Sequence, residues 1–203
     1  MLQLRIQGRG GQGAQLAGEI LATAYFREGK YVQAYSTYGG ARRGTPVSTF
    51  IRVDSAPIRE RCDIEEPDAI VCFDPSLLSP ALLGGARPDT VVLVNSNRAP
   101  SSFCDLGDYR FATLDALAVA QKNDLGRIVN SAVLGAFARV IGSPGIEHLA
   151  NVVRDVSPRK SEENAGATMD GYRLVRILGK PDPEGLEALA GITPGSATEG
   201  GAA

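Results

Sequence analysis

Leu4-Arg5-Ile6-Gln7-Gly8-Arg9-Gly10-Gly11-Gln12-Gly13 decides how this chain reads. Leu2, Leu4 and Ile6 alternate with polar residues, the two-residue period of a β-strand. Four glycines then fall within six positions, and Ala14 to Phe26 follows with apolar residues at helical spacing. Strand, glycine turn and helix in that order bring an anion to the bare N–H groups of a helix amino end. Gly8, Gly10 and Gly13 carry the G-x-G-x-x-G spacing. In that motif the first glycine permits a tight turn, the second a close backbone approach to a ligand, and the third close packing of helix on strand. A turn that serves only to join strand to helix stays open as the alternative.

A dinucleotide site of this kind also wants Asp or Glu about 20 residues on, at the end of the second strand, for the ribose hydroxyls. Here the second strand, Tyr31-Val32-Gln33-Ala34-Tyr35, ends on Ser36-Thr37, and Glu28 falls too early, at the helix end. The fold hint stands while the nicotinamide reading weakens.

The next segment, Ser36 to Pro46, holds Gly39, Gly40, Gly44 and Pro46 and reads as a loop. It carries Arg42 and Arg43, whose guanidinium forks suit phosphates and carboxylates; a solvated pair is the bland alternative. In an open α/β sheet the loops leaving the carboxyl ends of strands line the ligand crevice. The glycine turn and the arginine loop both leave strand ends, so they are expected to face one another. Val47 to Val53 is β-branched and reads as a strand; with no helix before it, it is expected to be an antiparallel or edge addition.

Pro67 to Phe73 and Thr90 to Asn95 are continuous apolar runs, as in strands buried on both faces. Asp74-Pro75-Ser76 is expected to open a short helix through Leu83, with Asp74 as its cap; contact with a ligand is the other role for Asp74. Ser96 to Gly107 reads as loop, Tyr109 to Thr113 as a short strand, and Leu114 to Gln121 as a helix. The last third is helical: Ile128–Ile141, apolar almost all round and therefore buried, then Gly145–Val156 and Ser161–Leu178. Asn130 lies inside the first of these, and a buried amide needs hydrogen-bond partners in a loop or a neighbouring chain. The fold class is thus α/β: a Rossmann-like open, mostly parallel sheet with an antiparallel strand addition and a helical C-terminal part. Residues 1–180 are expected to form one domain and 181–203 a flexible tail, rich in Gly, Ala, Ser and Thr from about Ile192 on.

A chain of 203 residues buries roughly 70% of its unfolded surface and needs no metal or disulfide staple. A net charge of −2 gives no electrostatic case for nucleic acid. No apolar run approaches the ~20 residues that cross a bilayer, and the N-terminus opens into a strand rather than a signal pattern, so a cytoplasmic location is expected. Cys62, Cys72 and Cys104 are scattered, with no C-x-x-C pair to suggest a zinc or cluster site. The single histidine, His148, reads as a helix-surface or packing residue rather than a catalytic base.

Three stretches together resemble the gamma subunit of the 2-oxoacid:acceptor oxidoreductases, the pyruvate:ferredoxin oxidoreductase family. They are Gly8-Arg9-Gly10-Gly11-Gln12-Gly13, Tyr38-Gly39-Gly40-Ala41-Arg42-Arg43-Gly44-Thr45-Pro46-Val47, and Asn130-Ser131-Ala132-Val133-Leu134-Gly135 with Asn164 and Gly171-Tyr172. The likeness runs from Leu2 to about Leu178. One departure is Gly40-Ala41, where pyruvate enzymes more often carry Pro-Glu. The resemblance implies a multi-subunit enzyme that oxidatively decarboxylates a 2-oxo acid (pyruvate, 2-oxoglutarate, or a branched-chain or aryl acid) to an acyl-CoA. It implies that sister subunits hold thiamine diphosphate, its magnesium and the [4Fe-4S] clusters. Electrons would pass to ferredoxin or to an added NAD-reducing flavin subunit. This chain, with no cluster-type cysteine run and no thiamine diphosphate motif, is expected to do no redox chemistry and to be inactive alone. It would cover the active site and contact coenzyme A through Gly8, Arg9, Gly10, Gly11, Gln12, Gly13, Arg42, Arg43, Gly44 and Asn130. A competing role for Arg42 and Arg43 is pairing with carboxylates of a sister subunit. Two other readings remain: a free-standing NAD- or FAD-binding oxidoreductase, and a purely structural scaffold.

Overall fold

The computed structural model describes residues 1–39, 44–184 and 186. Its order is β1 (Leu2–Arg9), α1 (Ala14–Arg27), β2 (Tyr31–Tyr38), β3 (Pro46–Asp54), β4 (Ala69–Cys72), β5 (Val91–Asn95), β6 (Arg110–Leu114), α2 (Ala116–Lys122), α3 (Asn130–Ile141), α4 (Ile146–Val156), α5 (Ser161–Leu174) and β7 (Arg176–Ile177). The strands make one sheet in the order β2-β3-β1-β4-β5-β6-β7. β1, β4, β5 and β6 run parallel; β3 is antiparallel to both β1 and β2, and β7 is antiparallel to β6.

The alternation in β1 sends Leu4 and Ile6 into the core under the helices, with Ile20, Leu21, Leu93, Leu134 and Phe137. The opposite face holds a smaller cluster of Ile70, Cys72, Val92, Val94 and Phe111 under Leu82, Leu83 and Phe103. β4 and β5, buried on both faces, supply side chains to both clusters, as continuous apolar runs should. Arg5, pointing away from the helices, donates to the carbonyls of Ile64, Leu82 and Gly84 and so ties down the covering loops. Arg52 is buried and donates to the side-chain oxygens of Gln3 and Gln33 and to the carbonyls of Cys62 and Asp63.

Several expected bounds shift. β3 is antiparallel, as expected, but it is not an edge: it lies between β1 and β2, and β2 is the edge. The β2–β3 hairpin has folded back so that its second strand pairs β1 over eight residues, Leu2↔Val53 to Arg9↔Pro46. The helix expected over 74–83 is a single 3-10 turn, Pro75–Leu77, and turns follow it; Pro80 has no N–H to continue a ladder. The segment 96–107, read as loop, contains the 3-10 helix Pro100–Leu106. The last helix stops at Leu174 rather than Leu178, because Val175-Arg176-Ile177, with β-branched Val175 and Ile177, turns extended and β7 closes the open edge of β6. Apart from residues 181–184 and 186, the expected tail lies outside the described residues.

α3 is buried along its whole first two turns, and it crosses α5 at glycines. A Cβ on Gly135 would stand 1.8 Å from the carbonyl oxygen of Thr168, and one on Gly171 would stand 2.0 Å from that of Ala132. Ser131 donates to Asn164, which in turn donates to the carbonyl of Lys160 at the start of α5. The sequence features around Asn164 and Gly171 are therefore helix-packing devices.

Candidate functional site

Parallel strands end at one level, so the segments leaving β1 and β4 meet at one end of the sheet. Because β3 is antiparallel, its first residue, Pro46, pairs with Arg9, the last of β1. That register delivers Gly44-Thr45 to the glycine turn. Gly10 N–H donates to Thr45 O at 2.9 Å, and Gly44 N–H donates to Gly10 O at 3.3 Å. The expected facing of turn and loop is present as far as Gly44; Arg42 and Arg43 themselves lie outside the described residues.

The glycines work differently from the motif's usual division. Gly8 makes the close strand-to-helix approach: a Cβ there would be 2.8 Å from Cβ of Ala14 and 3.3 Å from Cβ of Phe73. Gly11 and Gly13 supply the left-handed turn, with φ of 98° and 82°. Gly13 is the N-cap of α1; no side chain caps that end, and its first turn holds no acid.

Asp74, just beyond β4, clamps the turn. One carboxylate oxygen accepts from Arg9 Nε at 2.9 Å and from Gln12 Nε2 at 3.2 Å. The other accepts from the N–H and hydroxyl of Ser76, which completes the expected cap. Gln12 Oε1 accepts the N–H of Arg9 at 2.7 Å, while Arg9 also donates to Ser76 Oγ and to the Gly44 carbonyl. Arg9 and Gln12, expected to face a ligand, are thus engaged in holding the turn and the arginine loop together. Burial raises the Asp74 carboxyl, but the hydrogen bonds from Ser76, Gln12 and Arg9 outweigh it and hold its pKa below the ordinary value.

α3 starts against α1. A Cβ on Gly13 would meet Asn130 Cβ at 3.4 Å and Nδ2 at 3.6 Å. Asn130 is buried, and its Oδ1 has no hydrogen-bond partner. Such an orphan costs about 1–3 kcal/mol unless another molecule supplies the partner. An amide oxygen is an acceptor, so the partner that Asn130 Oδ1 lacks is a donor. Four exposed apolar side chains lie on segments at this same end: Leu16 on the first turn of α1, Tyr38 at the end of β2, Leu117 on the first turn of α2, and Ile128 just before α3. Sequence reading singled out none of the four, because exposure is a property of the folded end and not of the local pattern.

The β3 insertion also bears on the nicotinamide reading. A ribose-binding acid sits at the carboxyl end of the strand beside β1. On this side the neighbour is antiparallel and presents its beginning there, while β2, one strand further out, ends on Tyr38, whose hydroxyl donates to Gln15. His148 Nε2 lies 3.0 Å from Ala24 O and joins α4 to α1, a packing role. Burial pushes the Cys72 thiol up to about 12, so it stays protonated, and Cys62 and Cys104 are exposed. Among the described residues no three His, Cys, Asp or Glu side chains gather as a metal set, and no helix is long and apolar enough to cross a membrane.

Comparison with known proteins agrees with this architecture. The family model described as pyruvate ferredoxin/flavodoxin oxidoreductase matches residues 3–174. Pyruvate synthase subunit PorC of Methanothermobacter thermautotrophicus is 40% identical over 181 residues, covering 88% of this chain and 98% of that protein. The pyruvate/ketoisovalerate oxidoreductases common subunit gamma of Pyrococcus abyssi is 38% identical over 183 residues, covering 88% and 99%. The crystal structure of pyruvate oxidoreductase subunit PORC from Thermotoga maritima superposes with a TM-score of 0.78 at 33% identity, covering 87% of this chain and 98% of that one. The chain belongs to the pyruvate ferredoxin/flavodoxin oxidoreductase family, as one of its gamma subunits.

Proposed function

We propose that this gamma subunit does no redox chemistry itself. Its glycine-turn end covers the active site of a thiamine-diphosphate- and iron–sulfur-dependent 2-oxoacid oxidoreductase and contacts coenzyme A there. The observation that carries the reading is the α1 amino end, left without a side-chain cap or an acid beside the strand-end loop that leads from Arg42 and Arg43. Backbone N–H groups and guanidinium forks are the groups that hold phosphates. Leu16, Tyr38, Leu117 and Ile128, exposed around the same end, fit a surface that docks on a sister subunit. Thiamine diphosphate, magnesium and the [4Fe-4S] clusters then belong to the sister chains, and ferredoxin or a flavin subunit receives the electrons. Residues 1–180 form the working domain in this reading, and 181–203 its tail.

Replacing Arg42 and Arg43 by alanine in the reconstituted complex is expected to raise the apparent KM for coenzyme A about tenfold or more, with the KM for the 2-oxo acid little changed. A change confined to the 2-oxo acid would overturn the assignment. Weakened subunit assembly with both KM values intact would instead place the arginines at a sister chain's carboxylates.

A further inference from the structure

We infer that β2 is a docking edge for a second copy of this chain, paired strand to strand about a two-fold axis perpendicular to the sheet. β2 forms one edge of the sheet and pairs β3 in unbroken register from Tyr31↔Asp54 to Tyr38↔Val47. One step further along that register, Gly39 N–H donates to Pro46 O. Ladder bonds in an antiparallel pair fall on alternate residues, so the odd-numbered residues of β2 bond β3. Val32, Ala34, Ser36 and Tyr38 therefore turn their N–H and C=O groups outward. Such an edge is a template for another strand unless something blunts it. Tyr31-Val32-Gln33-Ala34-Tyr35-Ser36-Thr37-Tyr38 holds no charged residue and no proline, and its register has no bulge. The opposite edge is protected: β7 is two residues long, one of them Arg176, and Gly179 and Pro181 follow it.

A second copy brings a bare edge of the same length, and two uncharged strands meet without like-charge repulsion. A two-fold axis perpendicular to the sheet keeps like faces together, so the axis passes at Ala34 or Tyr35 and every residue pairs with one of its own parity. Either centre adds about six to eight backbone hydrogen bonds. α1 supports the same seam. Gln15 accepts from the Tyr38 hydroxyl and so marks the side of α1 that lies over β2. Ala22 and Phe26 follow on that stripe, two and three turns further on, and Phe26 is 71% exposed. Because the axis reverses the second copy, Phe26 of each chain approaches the end of the other that holds Gln15 and Tyr38. Tyr31, exposed at the start of β2, adds a second ring from each copy. An aromatic side chain buries ~150–250 Å², which carries a strand contact toward the ~1,200 Å² of a stable interface. The two glycine-turn ends point in opposite directions, free for sister subunits, and the pairing stands whether or not coenzyme A is bound there.

The test is sedimentation velocity of the full-length chain over a concentration series, with thermal unfolding at the same concentrations. Wild type is expected to sediment as a dimer and to melt higher as its concentration rises. Ala34→Lys sets two like charges against one another at the axis, and Ala34→Pro removes an outward N–H while sparing the bonds to β3. Each should be monomeric where wild type is dimeric, with a melting temperature independent of concentration. Phe26→Ser should raise the dimer dissociation constant about tenfold or more. A wild type that is monomeric throughout the series overturns the inference, as does a dimer that all three variants leave intact. If β2 amides of a monomeric wild type become protected from exchange only in the assembled oxidoreductase, the edge belongs to a sister subunit's strand and the second copy is ruled out. If the proline variant fails to fold, the lysine and serine variants decide.

Discussion

Gly135→Ala is expected to destabilise the chain by at least about 3 kcal/mol, lowering its melting temperature by about 6–12 °C, or to prevent folding. The added methyl would stand 1.8 Å from the carbonyl oxygen of Thr168 and 2.9 Å from the Tyr172 nitrogen, so it meets backbone rather than a side chain that can rotate away. Relief requires α3 and α5 to separate. α3 carries Val133, Leu134 and Phe137 into the main core, so a shift there opens space under the sheet as well. Gly171→Ala should behave alike, because its Cβ meets Ala132 O at 2.0 Å. Gly145→Ala is the control: its nearest neighbour would be a carboxylate oxygen of Glu28 at 3.8 Å, and the change should cost under about 1 kcal/mol. Denaturant and thermal unfolding of the three variants check the ranking. A Gly135→Ala protein as stable as the control would mean that the two helices are not packed this closely.

Asp74→Ala is expected to raise the KM for coenzyme A about tenfold while sparing the KM for the 2-oxo acid, on the reading proposed above. Asp74 touches no ligand in this account. It holds Arg9 and Gln12, and Arg9 holds the Gly44 carbonyl, so the loss loosens turn and loop together. The same clamp gives a pH dependence. Its folded-state pKa is held below the ordinary 3.8, so its stabilisation is complete above that value and disappears as pH falls through the lower, folded-state value. Asp74→Asn cannot ionise, keeps the size of the side chain, and should show the loosened turn already at neutral pH. Melting temperature followed from pH 6 downward in wild type and Asp74→Asn should converge on the acid side. Parallel curves across that range would remove Asp74 from the account.

The part of the fold that sequence reveals is the part governed by local pattern. The two-residue alternation of β1, the glycine turn and the period of α1 are all contained within residues 2–27, and the structure keeps them. Val91–Asn95 shows itself by being apolar at successive positions, which only a strand covered on both faces tolerates. The place of β3 is different. Residues 47–53 announce a strand, but whether it pairs β1 or stands at an edge depends on a hairpin folding back across the sheet, and no local period records that. α5 ends early for a similar reason: Val175, Ile177 and Leu178 read as a continuation of its apolar residues, and the edge of β6 claims Arg176 and Ile177 for a strand.

The site divides in the same way. Asp74-Pro75-Ser76 can be read as a cap because its partners are two residues off; its bonds to Arg9 and Gln12 join residues 65 and 62 positions apart. The meeting of Gly13 with Asn130 is likewise a product of α3 lying across α1. Arg9 and Gln12, expected to contact a ligand, bond Asp74, Gly44 and each other and so make the turn.

Hydrogen exchange of the assembled oxidoreductase, with and without coenzyme A, reaches the central claim most directly. Saturating coenzyme A should slow exchange in residues 8–17 and at the start of α3, leaving α4 and the α5 amino end unchanged. Identical exchange in both states across residues 8–17, in a complex shown by turnover to bind coenzyme A, would contradict the claim that this end of the gamma subunit receives it.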